Sequence, residues 1–270
     1  MIDKILRTYL IEKKPWYGIV LGFIFATLGI TFAFLIFGTE PSFPAIFLTT
    51  LASAPLIVKI IKSEREKKGI LKRHEKIIEV YFYLFFGMTI AFMLFSALLP
   101  AEISNSIFSE QLNKFSVGYF SNHPIDYAQI INQFSVGNFT KQTNLFFWIV
   151  INNFGLVLFF FLLSLFYGSG SMFLLAWNSS ILGVMWGDIL RMSLSLMDPL
   201  VFVKNVFFIF PFLLPEIEAY FLASVAGGIV SVNLDNKKKL ETAMKDSLIF
   251  LVLSVILILA AGFIEAILIG

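Results

Sequence analysis

The sequence predicts an all-α fold, a polytopic bundle of about seven transmembrane helices. Hydrophobic residues make up 58% of the 270 residues, charged residues make up 14%, and Phe alone occurs 33 times. A soluble domain has about 45–50% apolar and about 25% charged residues, and a fold of this size cannot hide the excess apolar surface. Two further observations support the prediction: several long apolar stretches, and the gathering of Lys and Arg between alternate stretches.

Seven stretches reach the length of about 20 mostly apolar residues that a helix needs to cross a bilayer. The sixth contains Pro211 and Pro215 and is expected to be interrupted, and it holds either one helix or a re-entrant piece over 201–214 followed by a helix. The first is too long for a cleaved signal peptide, and no small-residue cleavage site follows it. The stretches cover approximately residues 16–37, 44–61, 80–99, 145–167, 171–194, 201–234 and 247–269.

Most of the Lys and Arg residues fall in three segments, 4–14, 59–76 and 237–245. With seven spans, all three segments lie on one side of the membrane, and an error of one span would break this agreement. Because short cytoplasmic loops are enriched in Lys and Arg, we expect a multi-pass protein of the cell membrane with a cytoplasmic N-terminus and an extracytoplasmic C-terminus. We therefore expect the lipid bilayer to be a partner of this protein.

The segment 101–144 would then be extracytoplasmic, and Lys114 and Lys141 are its only Lys or Arg residues. Within it, Phe-Ser-Val-Gly occurs at 115–118 and again at 134–137. We expect two short amphipathic helices or turns on the membrane surface, with Phe as wedges; the alternative is a duplicated ligand-binding motif. A glycosylation sequon follows the second copy at 138–140.

Composition and motifs exclude several classes of function. The chain has no Cys and two His, which excludes disulfides, thiol catalysis and Cys-based metal sites and argues against a His-rich site. It contains no glycine-rich phosphate loop, no H-E-x-x-H and no G-x-S-x-G. We therefore expect no enzyme activity, no cofactor and no bound metal. A net charge of +2 gives no reason to expect a nucleic-acid partner.

Polar residues within the apolar stretches are the candidate functional residues, because charges at membrane depth are costly and usually face the interior of a bundle. The predicted topology brings those of four spans to a similar depth in the outer half of the bilayer, with Asn178 nearer the middle. Crowded carboxyl groups in a low dielectric should keep a proton, bind a cation or receive a partner's basic group. The candidates are Asn152, Asn153, Asn178, Asp188, Arg191, Glu216, Glu218 and Glu265.

Small residues predict where helices approach each other closely. In the sixth span they recur every fourth residue, and Glu216 shares their face, whereas Glu218 points toward the membrane interface or another helix. In the fifth span, two glycines four residues apart lie beside Asp188. The predicted packing residues are Ala219, Ala223, Gly227, Ser231, Gly183 and Gly187.

A purely structural interpretation of the charged residues stays open. Asp188 and Arg191 are three residues apart and would pair with each other. Glu216 and Glu218 would cap a helix that a proline begins just before them. Glu265 would lie solvated at the level of the lipid headgroups.

The order and spacing of these residues resemble a known family. Its pattern is an Asn in one span, a glycine-bearing turn, a span with Asn-Gly and a later Gly, a Pro-His-Gly-x-x-Glu stretch that opens another span, and a late Glu. The corresponding residues here are Asn152 and Asn153, residues 168–170, Asn178 and Gly183, residues 211–216, and Glu265. The C-terminal half thus resembles the stage II sporulation protein M family of bacterial and archaeal membrane proteins.

The chain departs from the family pattern at two places. Phe212 and Leu213 replace the His-Gly pair, and Ser179 replaces a Gly, so a site that needs imidazole is in doubt. The resemblance implies a five-helix membrane core over 78–270, which includes the extracytoplasmic segment. An N-terminal transmembrane hairpin with a basic cytoplasmic loop, over 1–77, would precede that core.

The resemblance implies a non-enzymatic integral membrane protein that acts as an assembly scaffold or membrane-remodelling factor. In spore formers the named member works with peptidoglycan-degrading partners at the engulfing septum, so we expect a membrane or extracytoplasmic protein partner; homo-oligomerisation stays open. The alternative is an ion-coupled transporter or permease that uses the outer-leaflet carboxyl cluster. An intramembrane aspartyl hydrolase fits poorly, because Asp188 is the only Asp within a predicted span.

Overall fold

The computed structural model describes residues 14–38, 40–62, 70–118 and 139–269 of the chain. Within these ranges the regular structure is entirely helical, and seven of the nine helices are long and apolar enough to cross a membrane. The prediction of an all-α polytopic bundle is therefore confirmed. The helices are α1 (Tyr17–Phe37), α2 (Ser42–Lys62), α3 (Ile70–Leu98), α4 (Ala101–Ile107), α5 (Ser109–Gly118), α6 (Phe139–Tyr167), α7 (Ser171–Ser195), α8 (Pro199–Ser231) and α9 (Lys237–Ile269).

The seven long helices form two groups that share one apolar core. In the first group α3 packs against α1 and α7, and α2 packs against α1. In the second group α8 packs against α6 and α9, and α6 also contacts α9. Contacts of α7 with α6 and α8 join the groups, and the buried apolar side chains form one cluster across them. The outward faces are apolar as well, with exposed side chains such as Phe159 and Phe207, as expected where lipid is the solvent.

One end of the bundle carries clustered lysines. α2 ends with Lys59 and Lys62, and α9 begins with three consecutive lysines at 237–239. The two sites are close in space, because Ile61 lies beside Gly228, near the residue where α8 ends and the short turn into α9 follows. We call this end of the bundle the basic end and the opposite end of the bundle the far end.

Glycines allow the backbones of neighbouring helices to approach each other. A Cβ atom added to Gly183 would lie 2.6 Å from the Cβ of Phe92, and one added to Gly187 would lie 2.6 Å from the Cβ of Ser96. Gly227 on α8 likewise lies against the backbone of α6. In lipid, helix association depends on such close packing, because burial from water contributes nothing between helices.

The sixth apolar stretch differs from the expectation, because α8 is one continuous helix that contains both Pro211 and Pro215. The helix begins far upstream, where the Asp198 side chain accepts a hydrogen bond from the backbone N–H of Leu200 at 3.0 Å and Pro199 occupies the first helical position. Each internal proline removes one backbone hydrogen bond, a loss that transmembrane helices tolerate when neighbouring helices pack around them. The re-entrant piece over 201–214 is therefore not observed.

The segment after α3 begins with α4 and α5, which lie before or at the first Phe-Ser-Val-Gly copy and pack into the bundle. Ile107, Phe108 and Gln111 are buried, and α5 packs against α2 and α7. Ser42 donates to Oε1 of Gln111 at 2.6 Å, and Nε2 of Gln111 donates to Ser180 at 3.0 Å. A buried amide with partners on two helices holds α5 inside the bundle. The first Phe-Ser-Val-Gly copy ends α5, and the second copy and Asn138 of the sequon lie outside the described residues.

Candidate functional site

Four polar side chains from α6, α8 and α9 meet inside the second helix group. Nδ2 of Asn153 donates a hydrogen bond to Oε1 of Glu216 at 2.5 Å, and the Tyr220 hydroxyl donates to Oδ1 of Asn153 at 2.8 Å. The carboxyl groups of Glu216 and Glu265 are within hydrogen-bonding reach of each other. We call these four residues the α6–α8–α9 cluster.

The antiparallel arrangement of α8 and α9 explains why the two glutamates meet. Side chains on a helix lean toward its N-terminus, so Glu216 on α8 leans toward the far end and Glu265 on α9 leans toward the basic end. The register of the helices is held by Ser254, whose hydroxyl donates to the backbone carbonyl of Ala219 at 3.0 Å. Gly262 brings α9 close to α6, since a Cβ there would lie 2.8 Å from Cγ2 of Val150.

The cluster is enclosed by protein. Asn153, Tyr220 and Glu265 are 7%, 6% and 7% exposed, and Glu216 is partly buried. The Tyr220 ring stacks on Phe160 with centroids 4.9 Å apart and planes at 4°. Polar groups so enclosed are costly to leave without hydrogen bonds, about 1–3 kcal/mol for each neutral group.

The chemistry of the cluster centres on the carboxyl pair. Ionised carboxylates only accept hydrogen bonds, so a hydrogen bond between Glu216 and Glu265 requires a proton on one of them. The pair can therefore hold a proton, or a cation in its place. Across the described ranges, no three His, Cys, Asp or Glu side chains come together in a way that could hold a metal ion.

Comparison with protein families decides the identity of this region. The family model for stage II sporulation protein M matches residues 81–268. The chain belongs to the stage II sporulation protein M family. Every member of the α6–α8–α9 cluster lies within the matched region, whereas α1 and α2 precede it. Searches of curated proteins and of solved structures find no match to the chain.

Five of the eight predicted site residues of this family member lie outside the cluster, and three of these are Asn152, Asn178 and Glu218. Asn152 is exposed, with its Nδ2 atom 3.5 Å from Oδ1 of Asn153. Asn178 is partly buried and donates to the carbonyl of Leu174 on its own helix at 2.8 Å. Glu218 is exposed and lines a cleft between α3 and α8. Neither Glu216 nor Glu218 caps a helix, because α8 begins at Pro199.

Asp188 and Arg191 lie at the contact between α3 and α7, and both bind α3. Oδ1 of Asp188 accepts a hydrogen bond from the hydroxyl of Ser96 at 3.2 Å. Nη2 of Arg191 donates to the backbone carbonyl of Leu99 at 2.9 Å and also to that of Ser96. The last carbonyls of a helix have no partner within it, so Arg191 acts as a cap for the C-terminus of α3.

The predicted packing residues lie on helix contacts. On α8, Ala219, Ala223 and Gly227 are buried, and Ser231 is partly buried near Gly168 at the basic end. On α7, the two glycines at 183 and 187 face α3 as described above. These contacts place the small-residue face of α8 against α6 and α9, which also supply Asn153 and Glu265 to the cluster.

The sequence interpretation missed a buried pair at the basic end. Nε2 of His74 lies 3.0 Å from Oδ2 of Asp246, the two residues are 3% and 4% exposed, and the His74 ring meets Phe250 edge-on. We expected His74 in a solvated basic loop, but α3 begins at Ile70 and α9 at Lys237, about ten residues before the predicted spans. The signal was periodicity: His74, Ile77, Tyr81 and Leu84 are spaced three or four apart and are all buried.

Proposed function

We propose that this protein is a non-enzymatic multi-pass protein of the cell membrane that acts as an assembly scaffold or membrane-remodelling factor through another protein. Its N-terminus would be cytoplasmic and its C-terminus extracytoplasmic, with the basic end inside the cell. The partner would be a membrane or extracytoplasmic protein. The observation that supports this proposal most is the α6–α8–α9 cluster, in the region that matches the family.

The cluster uses its polar groups to join helices. Both ends of the Asn153 amide are bonded, one to Glu216 and one to Tyr220, so α6 and α8 are held in a fixed register. The Ser254 hydrogen bond and the Glu265 carboxyl group extend this linkage to α9. Interior polar residues that bond one another give a bundle a defined shape, which suits a scaffold that presents a constant surface to a partner.

Co-purification tests the proposal. The tagged protein is extracted from its native membranes in mild detergent or in lipid nanodiscs, and bound proteins are identified by mass spectrometry. We expect a specific protein in near-stoichiometric amount that an unrelated seven-helix protein of the same membrane does not bring down. If the protein is recovered alone and a reconstituted sample moves a solute, the proposal is wrong.

The Glu216–Glu265 carboxyl pair favours a second candidate, an ion-coupled transporter or permease. A buried pair that holds a proton is a feature that coupled transport uses. The clefts between α3 and α8 and beside Ser42 are lined by other residues than these two glutamates. Proton and Na⁺ flux into proteoliposomes is compared for wild type, Glu216→Gln and Glu265→Gln, with Glu102→Gln as an exposed control. Flux that both core substitutions abolish and the control keeps would favour transport.

A further inference from the structure

A cleft of about 350 Å³ opens on the outside of the bundle between α3 and α8. Its walls are mostly apolar and include Phe82 on α3 and Phe221 on α8. Two carboxyl groups also line it, Glu79 from α3 and Glu218 from α8. The cleft is therefore an apolar groove in which Glu218 is an exposed carboxyl group, and it is separate from the α6–α8–α9 cluster.

Glu218 lies well within the apolar part of its helix. No charged side chain follows Glu218 in α8, which ends at Ser231. Gly228, which lies beside Ile61 at the basic end, is ten residues away, about 15 Å along the helix. Glu218 is nevertheless exposed on the surface of the bundle. A carboxylate that faces lipid at such a depth is costly, and such residues are normally paired with an opposite charge.

From this placement we propose that the α3–α8 cleft receives a transmembrane helix of another protein, which carries a Lys or Arg at the depth of Glu218. The aromatic side chains Phe82 and Phe221 would pack against the apolar face of that helix. The inference rests on the proposed partner-dependent function and gives the chemistry of the partner.

Lys204 of a second copy of this chain does not supply the cation. The exposed lysine nearest to Glu218 on α8 is Lys204, fourteen residues earlier, which is about 21 Å along the helix. Two copies in the same membrane have the same orientation, so each keeps its Lys204 at a depth different from that of Glu218. A lipid amine headgroup has its charge at the membrane surface and not at this depth. Charge complementarity at depth therefore favours the helix of a different protein.

Site-specific cross-linking in native membranes tests the inference. The chain contains no Cys, so a single cysteine can be placed without background. Ile78→Cys puts a thiol in the cleft, and Phe159→Cys puts one on the lipid-facing side of α6 as a control at a similar depth. Each is labelled with a thiol-reactive benzophenone and irradiated. We expect Ile78→Cys, and not Phe159→Cys, to give one adduct whose linked peptide is a transmembrane segment containing Lys or Arg.

Charge variants then test the ion pair itself. Glu218→Gln in the Ile78→Cys background should lower the adduct yield about tenfold, as loss of a charge partner within an interface does, whereas Glu75→Gln, on α3 nearer to the basic end and outside the cleft, should not. Glu218→Lys should abolish the adduct, and Lys or Arg→Glu in the partner should restore it.

The outcomes separate the inference from the proposed function. Any of three results overturns the cleft inference: an adduct yield that Glu218→Gln leaves unchanged, an adduct with lipid or with a second copy, or a linked peptide without Lys or Arg. Co-purification of a partner would still support the scaffold in each of these cases. If wild type brings down no partner at all, both the proposed function and the inference fail.

Discussion

The hydroxyl of Tyr220 donates a hydrogen bond to Oδ1 of Asn153 at 2.8 Å, across the contact between α8 and α6. Because a phenol in this position donates to the amide oxygen, the amide nitrogen is turned toward Glu216, to which it donates at 2.5 Å. Tyr220 therefore sets the orientation of the amide, and the amide sets the position of the carboxyl group. These successive contacts connect α6 and α8, which lie in the family-matched region, to the Glu216–Glu265 carboxyl pair.

Removal of the amide should destabilise the bundle. Asn153→Ala takes the hydrogen-bond partner from both Glu216 and Tyr220, and we expect a loss of about 1–3 kcal/mol in the free energy of unfolding. The measurement is equilibrium unfolding in mixed detergent micelles. Asn152→Ala, one residue away and exposed, is the control and should change the value by less than about 0.5 kcal/mol.

A double-mutant cycle checks that the two contacts act together. Tyr220→Phe keeps the ring that stacks on Phe160 and removes only the hydroxyl. Combined with Asn153→Ala it should cost less than the sum of the single changes by about 0.5–3 kcal/mol, because both remove the same hydrogen bond. Strict additivity of the two losses would show that the contact contributes nothing.

The glycines between α3 and α7 should not tolerate a side chain. At Gly183 an added Cβ would meet Phe92, and we expect Gly183→Ala to lower the free energy of unfolding by about 1–3 kcal/mol. Gly155 on α6 offers a matched control, because nothing lies within 4 Å of a Cβ placed there. Gly155→Ala should be neutral or stabilise by up to about 1 kcal/mol. Equal effects at the two positions would contradict close α3–α7 packing.

The His74–Asp246 pair should stabilise the basic end. His74→Leu removes the imidazole from a buried carboxyl group, so we expect a loss of about 1–3 kcal/mol and faster hydrogen exchange at the start of α3 and α9. The double change His74→Leu with Asp246→Leu should recover part of that loss, because the buried Asp246 carboxyl group that lost its imidazole partner is then removed as well. Glu75→Gln, exposed on the next residue, serves as the control. A double variant less stable than His74→Leu would count against the pair.

Much of the fold is predictable from the sequence, because lipid exposure leaves a strong compositional signal. Long apolar stretches and basic segments predict the seven spans, and small residues such as Gly183 predict which face of α7 meets a neighbouring helix. The continuous α8 was not predictable from Pro215, because the start of the helix depends on Asp198 and Pro199 upstream. A proline indicates a weak point in a helix, and neighbouring helices determine whether the helix breaks there.

The candidate site was harder to derive, since it depends on which helices become neighbours. Glu216 and Glu265 are 49 residues apart in the sequence and meet only because α8 and α9 are antiparallel. Arg191 could be expected to pair with Asp188 three residues away, yet it binds the carbonyls that end α3. His74 was assigned to a loop because basic residues surround it. In each case a tertiary contact outweighs the local spacing.

The central claim, that this family member works through another protein, is tested most directly by native mass spectrometry of the protein extracted from its own membranes. The chain alone has a mass of 30.6 kDa. We predict a species heavier than this by the mass of a different protein, reduced in Glu218→Gln and retained in Glu75→Gln. Recovery of the 30.6 kDa chain alone, or only of its integer multiples, would contradict the account.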